Sequence, residues 1–289
     1  IDTSKSFQAA EDAIAAVNGA YQPLQWPKLY NMRMWTLDIV AGNSIVGAGG
    51  GTDGIETTDM ANFITTTDNA GVLDVWRGPS PGILRCNFVI KNVPGMNIDQ
   101  SLKNRCLGEA KFLRAFAYRF LGNMWGKAPI VLEETTSPQF NYQSATQEEI
   151  YKQCKEDLLF AVQWMPEIDN QKGGRASNVA ARHLLSEILI CLKDYNGAVE
   201  QATAVINNPS MSLMTERFGK LKDFTFEGYD YQGEKEPWGD VYWDLFRENN
   251  FNRIDGNKEC IWNVQFDVEL QGGGNTGVSG GNFGLERWF

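Results

Sequence analysis

One histidine, His183, narrows the acid–base chemistry open to this 289-residue sequence. A Ser-His-Asp triad would have a single possible base, and no G-x-S-x-G elbow accompanies it. His183 lies in a helical pattern beside Leu184 with no second histidine to share a metal, so a structural role is expected for it. Gly49, Gly50 and Gly51 are followed by Thr-Asp-Gly rather than by a helix, and no G-x-x-x-x-G-K-[ST] loop occurs, so no nucleotide cradle is expected. An EF-hand reading of Asp255-Gly256 would place its first ligand on Phe251, and it fails there. The five cysteines (86, 106, 154, 191 and 260) form no C-x-x-C pair and read as buried free thiols. The 36 Asp and Glu leave a glycosidase-type carboxylate pair open, but no catalytic template assembles around them. The expectation is a protein without catalysis, cofactor or metal.

Binding chemistry is better represented. Sugars present flat C–H faces ringed by hydroxyls; aromatic rings cover the faces, and Asp, Asn and Arg bond the hydroxyls. Residues 224–246 hold eight aromatics, and Trp238, Trp243, Trp288 and Phe289 fall in segments without helical period. Each of these rings competes with an ordinary anchoring role. The net charge of −10, with no offsetting Lys/Arg cluster, repels phosphate backbones and anionic membrane surfaces, which argues against nucleic acid as a partner. No apolar run approaches the 18 residues or so of a membrane-spanning helix.

The elements that position these groups read as helical. Residues 7–22 predict an Ala-rich helix with Ala10, Ile14 and Val17 inward, ending near Asn18-Gly19. Residues 36–72 keep no period and predict a long irregular excursion. A helix is expected from Leu73 to about residue 93, broken or kinked by Pro79 and Pro81. In 104–125, Cys106, Ala110, Leu113, Ala117, Phe120 and Met124 form an apolar seam. Gly108, Ala115 and Gly122 recur at steps of seven on another face, where small residues let a neighbouring helix approach; Gly126 and Pro129 stop the helix. Arg105–Glu109 and Arg114–Tyr118 sit four apart and read as pairs stitching a solvated face. Thr146 with Glu149 predicts a capping box opening 146–166, with Ile150, Cys154, Leu158, Ala161 and Met165 inward. Ser177 is expected to cap 177–193, with Ala181, Leu185, Ile188 and Leu192 in line, and a further helix runs from about Asn196 to Asn207 with Ala198, Ala202 and Val205 inward. Residues 100–207 thus predict two antiparallel helix pairs, with 7–22 and 73–93 able to supply a third. Asp194, Tyr195 and Ala198, with Pro209 after the last helix, resemble the tetratricopeptide pattern. ECIWNVQFDVEL (259–270) alternates like a strand with Ile261, Val264 or Phe266, and Val268 inward, and residues 271–289 are Gly-rich.

Four segments carry a resemblance to the SusD/RagB family of outer-membrane nutrient-binding lipoproteins. EAKFLRAFAYRFLGNMWGKAPIV (109–131) is similar to the family's E-x-R-F-L-R-A-x-x-Y helix, with Lys111 where Arg is common and Ala128 where an acid is common. EEIYKQCKEDLLFAVQWMP (148–166), GRASNVAARHLLSEILICLKDYNGAVEQATAVIN (174–207) and ECIWNVQF (259–266) resemble three further family segments. The match spans about residues 7–266.

The resemblance implies a mostly α fold: a tetratricopeptide-like scaffold of helical hairpins with long irregular loops and a few short strands. It implies one SusD-like domain over 1–289, lacking the C-terminal part of the family, with a helical-repeat core at about 73–207. It implies a surface-exposed lipoprotein of the outer membrane, anchored through an N-terminal Cys that does not precede Ile1 in this chain. Its partners would be a glycan and a SusC-like TonB-dependent transporter. In the family the ligand face comes from the long loop after the first helix and from loops after the E-x-I-F strand. Here these are about 38–58, with Asp38, Asn43 and Asp53 but no aromatic, and 271–289, with Asn282, Arg287 and Trp288. Together with Trp238 these are the candidate ligand-binding residues. The alternatives are a peptide-binding RagB-like relative, favouring basic peptides on an acidic surface, and a generic tetratricopeptide adaptor.

Overall fold

In the computed structural model, the described residues are 7–26, 28–29, 55–135, 137–171, 173–229, 235–247 and 250–265. They fold mostly as helices, in two compact units, one holding the described residues up to 160 and the other those from 161 to 265.

The helices of the first unit are α1 (Ala10–Tyr21), α2 (Ile55–Ala61), α3 (Ala70–Arg77), α4 (Ser80–Asn92), α5 (Gln100–Trp125) and most of α6 (Gln147–Trp164). Helices α4 and α5 pack as a hairpin, and α1 lies against both, so the third pair expected from sequence forms. Two corrections concern α1 and the excursion after it. Asn18-Gly19 does not end α1, because Ala13, Val17 and Ala20 are buried and hold the last turn in place. That packing turns Ile14, expected inward, out to solvent. The segment expected to be irregular contains α2 and the start of α3. The Asn69 side chain accepts from Val72 N at 3.1 Å and so caps α3, a local signal that a periodicity count passes over.

Asp99 caps α5 by accepting from Ser101 N at 2.8 Å and Leu102 N at 3.1 Å, and the bond from the Ser101 hydroxyl, together with these two, holds its carboxyl below the usual range. Gly126, at φ 69°, closes the helix by donating from its N to the Gly122 carbonyl. The capping box opening α6 forms as expected. Thr146 donates from its backbone N and its hydroxyl to Glu149 Oε2, both at 2.7 Å, and Glu149 N returns a bond to Thr146 Oγ1. A two-stranded antiparallel ribbon, β1 (Lys127–Pro129) with β2 (Ser144–Thr146), ties the end of α5 to the start of α6. The small-residue stripe faces α6: Cys154 Sγ donates to the Ala115 carbonyl at 3.4 Å, and a methyl added at Gly122 would lie 3.0 Å from the Tyr151 ring and 3.2 Å from Ile150. Gly122→Val is therefore expected to lower stability by about 1–3 kcal/mol through overpacking. Gly122→Ala is expected to stay near neutral, its helix propensity offsetting the tight contact. Urea denaturation of both variants checks this.

The pairs on α5 are not on a solvated face, which corrects the expectation. Arg114 is 4% exposed, Tyr118 1% and Glu109 0%. Arg114 Nε and Nη2 donate to the two oxygens of Asp157 on α6 at 2.7 and 2.8 Å, and Lys111 Nζ reaches Asp157 Oδ1 at 2.9 Å. Asn87 on α4 accepts from Arg114 Nη1 at 2.8 Å. Tyr118 Oη exchanges bonds with the Val131 backbone, and its burial pushes the phenol up to about 12. Spacing gave the Arg105–Glu109 pair, which forms; it did not give Asp157 as the partner of Arg114 or Val131 as the partner of Tyr118, nor the helices that close over them.

The second unit holds the end of α6, then α7 (Asn178–Cys191), α8 (Tyr195–Ile206), β3 (Phe226–Tyr229), β4 (Lys235–Trp238) and the short α9 (Val241–Leu245). Helices α7 and α8 form the expected antiparallel pair. Ala181, Leu185, Ile188, Ala198 and Val205 are buried as read from the sequence, whereas Leu192 and Ala202, also expected inward, are half-buried. Asp194 caps α8 by accepting from Gly197 N at 3.1 Å. Two further expectations fail. Ser177 stands at the N-cap position of α7, yet its hydroxyl makes no capping bond. Residues 259–265 form no strand: all of 261–265 are half-buried without alternation, and their side chains bond to neighbouring loops instead of pairing with a strand. All five cysteines are free, but Cys191 is exposed and Cys260 half-buried, so only Cys86, Cys106 and Cys154 fit the buried reading. His183 is exposed on α7.

Candidate functional site

Asp38, Asn43, Asp53, Asn282, Arg287 and Trp288 lie outside the described residues, as does Phe289. Trp238 is placed in β4, where its backbone pairs with Phe226 in an antiparallel ribbon. The geometry that can be built into a site lies just after this ribbon, in the second unit.

A lattice of buried polar groups organises it. Asp244 on α9 is fully buried and pairs with Arg217, Nε to Oδ2 at 2.5 Å and Nη2 to Oδ1 at 3.1 Å. It also accepts from Phe218 N at 3.1 Å. Arg217 uses its remaining donors on the carbonyls of Gly239, Leu221 and Phe224, so one guanidinium gathers the ribbon and α9. Asn250 then donates to the Asp244 carbonyl at 3.0 Å, and Asn257 donates to the Asn250 carbonyl at 2.9 Å. Asn257 Oδ1 accepts from Glu259 N and Cys260 N, which fixes the start of the 259–265 segment. Both asparagines are 2% exposed. Gly219, at φ 76°, sits so close to the Asn250 amide that a side chain there has no room.

This lattice presents an aromatic surface. Asp240 caps α9 by accepting from Trp243 N at 2.7 Å. Tyr242 and Phe246, four residues apart, form an edge-on pair with centroids 5.0 Å apart. They are 67% and 66% exposed. Two large rings left in water, Tyr242 on α9 and Phe246 at its C-cap, beside a buried ion pair, form an apolar platform suited to the C–H face of a sugar ring. Trp243, proposed from the sequence, serves otherwise: Arg247 and Arg217 lie 4.3 and 5.4 Å from its ring centroid. Sequence reasoning noted the aromatic density of 224–246 but not which rings face water. That choice is made by the rotation of a five-residue helix, whose period is too short to read.

The lattice also holds a cavity of about 720 Å³ lined by the 168–177 loop and by residues 251–254 and 260–263. Asp169 and Arg253 form an ion pair across it at 3.1 Å. A bond from the Ser210 hydroxyl, with Arg253 beside it, keeps the Asp169 carboxyl below the usual range. Trp262 Nε1 donates to the Gly174 carbonyl at 3.0 Å, and Asn252 Oδ1 accepts from Gly174 N at 3.2 Å. Among the described residues no three His, Cys, Asp or Glu side chains converge as metal ligands, and no helix is long and apolar enough to cross a membrane.

Comparison with known proteins sets these features in a family. The SusD-like family described as "Starch-binding associating with outer membrane" matches residues 6–190. SusD-like protein P2 of Formosa agariphila is 28% identical over 237 residues, which are 80% of this chain and 45% of that protein. A SusD-like protein of Bacteroides fragilis superposes at a TM-score of 0.70 with 20% identity, over 93% of this chain and 47% of the other. Surface glycan-binding protein A of Bacteroides thetaiotaomicron, solved in complex with laminarihexaose, gives a TM-score of 0.68 with 22% identity, over 89% and 50% of the two chains. The chain spans about half the length of the curated relatives it matches. The helical hairpins, the short ribbons and the match over residues 6–190 lead to one assignment: the chain belongs to the SusD-like family.

Proposed function

We propose that this chain is part of a cell-surface protein that binds glycans without chemistry and passes them to a SusC-like TonB-dependent transporter in the outer membrane. The observation that carries the binding half is the Tyr242–Phe246 pair, two exposed rings on a helix locked by Asp244. A platform already rigid before binding loses little side-chain entropy when a sugar docks. The family's description and the laminarihexaose complex of a similar structure support a polysaccharide as the ligand class. Delivery to the transporter and a lipid anchor follow from the family resemblance.

Native affinity electrophoresis in gels containing laminarin or soluble starch tests the reading. The unmodified chain is expected to be retarded by at least one of them. The Tyr242→Ala/Phe246→Ala double variant is expected to bind about tenfold more weakly or worse, as for buried aromatic anchors at other interfaces. Its thermal midpoint should change little, because both rings are exposed. Equal retardation of the two proteins would remove the platform from the site.

A further inference from the structure

We propose that the cavity between the 168–177 loop and residues 251–263 is a second carbohydrate site, taking a single neutral sugar unit held through the buried hydroxyl of Ser177. The proposal rests on the glycan reading above but concerns a different surface. Its volume, about 720 Å³, falls within the range of small-molecule sites. Ser177, which lines it, is 1% exposed, and its Oγ has no hydrogen-bond partner. A serine at an N-cap position ordinarily bonds a backbone N–H of the first turn, and this one does not. A buried hydroxyl left unpaired is unfavourable unless something else bonds it, and a ligand hydroxyl in the cavity would do so.

The lining decides the ligand's charge. Asp169 and Arg253 neutralise one another. Arg253 spends its other donors on the Ser210 and Asn257 carbonyls. Arg175 also lines the cavity and is engaged elsewhere, while its buried Nε makes no hydrogen bond. A ligand there meets the Ser177 hydroxyl, the Arg175 Nε–H, the Nδ2 of Asn263, whose Oδ1 accepts from Gln265, and the indole of Trp262, anchored through Nε1 to Gly174. A hydroxyl, N–H donors and an aromatic face, beside an Asp169–Arg253 pair that is already closed, match a hydroxyl-rich sugar ring, and the proposal commits to a neutral one.

Two-dimensional ¹H–¹⁵N spectra of the whole chain test this through the Trp262 indole N–H, assigned with Trp262→Phe. Methyl β-D-glucoside and methyl α-D-glucoside are the neutral probes, and sodium glucuronate is the anionic control. The expected result is a saturable millimolar shift of that resonance with at least one neutral glycoside, weakened about fivefold or more in Ser177→Ala by loss of one hydrogen bond. The same variant is expected to keep or raise the thermal midpoint, since it removes an unpaired hydroxyl; a capping role would lower it. Asn263→Ala, expected to weaken the shift likewise, serves as the second variant should Ser177→Ala fail to fold. No shift, a shift indifferent to the variants, or a shift with glucuronate alone overturns the proposal. Retardation by laminarin or starch without an indole shift defeats this site and leaves the aromatic platform standing. An indole shift without retardation defeats the platform and leaves this site. Absence of both defeats the glycan reading together with this site.

Discussion

Asp157→Ala is expected to lower the unfolding free energy by about 3–5 kcal/mol, the loss typical when one partner of a buried ion pair is removed. Asp157 is fully buried and accepts three charged bonds, two from Arg114 and one from Lys111. Its removal strands the Arg114 guanidinium between α4, α5 and α6, where it keeps the bond to Asn87 and a long bond to the Leu132 carbonyl. The guanidinium stays charged in any accessible pH range. Burial alone would lower its affinity for the proton, and the Asp157 carboxylate more than restores it. Urea denaturation followed by far-ultraviolet circular dichroism measures the effect. A double replacement, Arg114→Met with Asp157→Leu, is expected to lose less than Asp157→Ala alone, because no uncompensated charge remains. A single-variant loss below about 1 kcal/mol, the size of an exposed pair, would mean that water reaches the cluster.

How much of this was legible in the sequence differs by element, for physical reasons. The helices between residues 100 and 206 were legible because their stops and most of their caps are local. Gly126 at positive φ, the Thr146–Glu149 box and Asp194 before Gly197 act within four residues. The inward faces of α7 and α8 followed from period alone, since each helix has one long apolar stripe. Helix α1 defeated the same method. In an Ala-rich sequence several faces are equally apolar, and packing against α4 and α5 chose Ala13 and Ala20 over Ile14. The polar groups on α5 were half legible: spacing gave the Arg105–Glu109 pair, but the partner of Arg114 is Asp157, 43 residues away in the chain. The segment 259–265 alternates as a strand does, and it stays irregular because Trp262 and Gln265 bond loops rather than a neighbouring strand. Ser177 has the composition of a cap without the bond of one, a difference that no sequence pattern carries.

The second large effect is expected at Asp244, where structure and binding are joined. Asp244→Ala removes the acceptor of two Arg217 bonds and of Phe218 N, and is expected to lower the stability of the second unit by about 2–3 kcal/mol, the scale of hydrogen bonds to charged groups. The functional loss should exceed what instability alone explains. Arg217 holds the Gly239, Leu221 and Phe224 carbonyls at the base of the ribbon, and Asn250 hangs from the Asp244 carbonyl on α9. With the carboxylate gone, only the contact with the Trp243 ring holds the guanidinium against α9, and the rotation of the segment carrying Tyr242 and Phe246 is expected to loosen. Laminarin or starch retardation is then expected to fall about as far as in the Tyr242→Ala/Phe246→Ala double variant, although both rings are still present. Asp244→Asn separates charge from geometry. The amide keeps one acceptor for Arg217 and should restore part of the stability, whereas the Asn250 bond runs to the backbone and survives in both variants. If Asp244→Ala bound laminarin and starch as the unmodified chain does at a temperature where it remains folded, the platform would not depend on this lattice. The aromatic pair would then have to be oriented by contacts within α9 itself, of which the Asp240 cap is the strongest at hand.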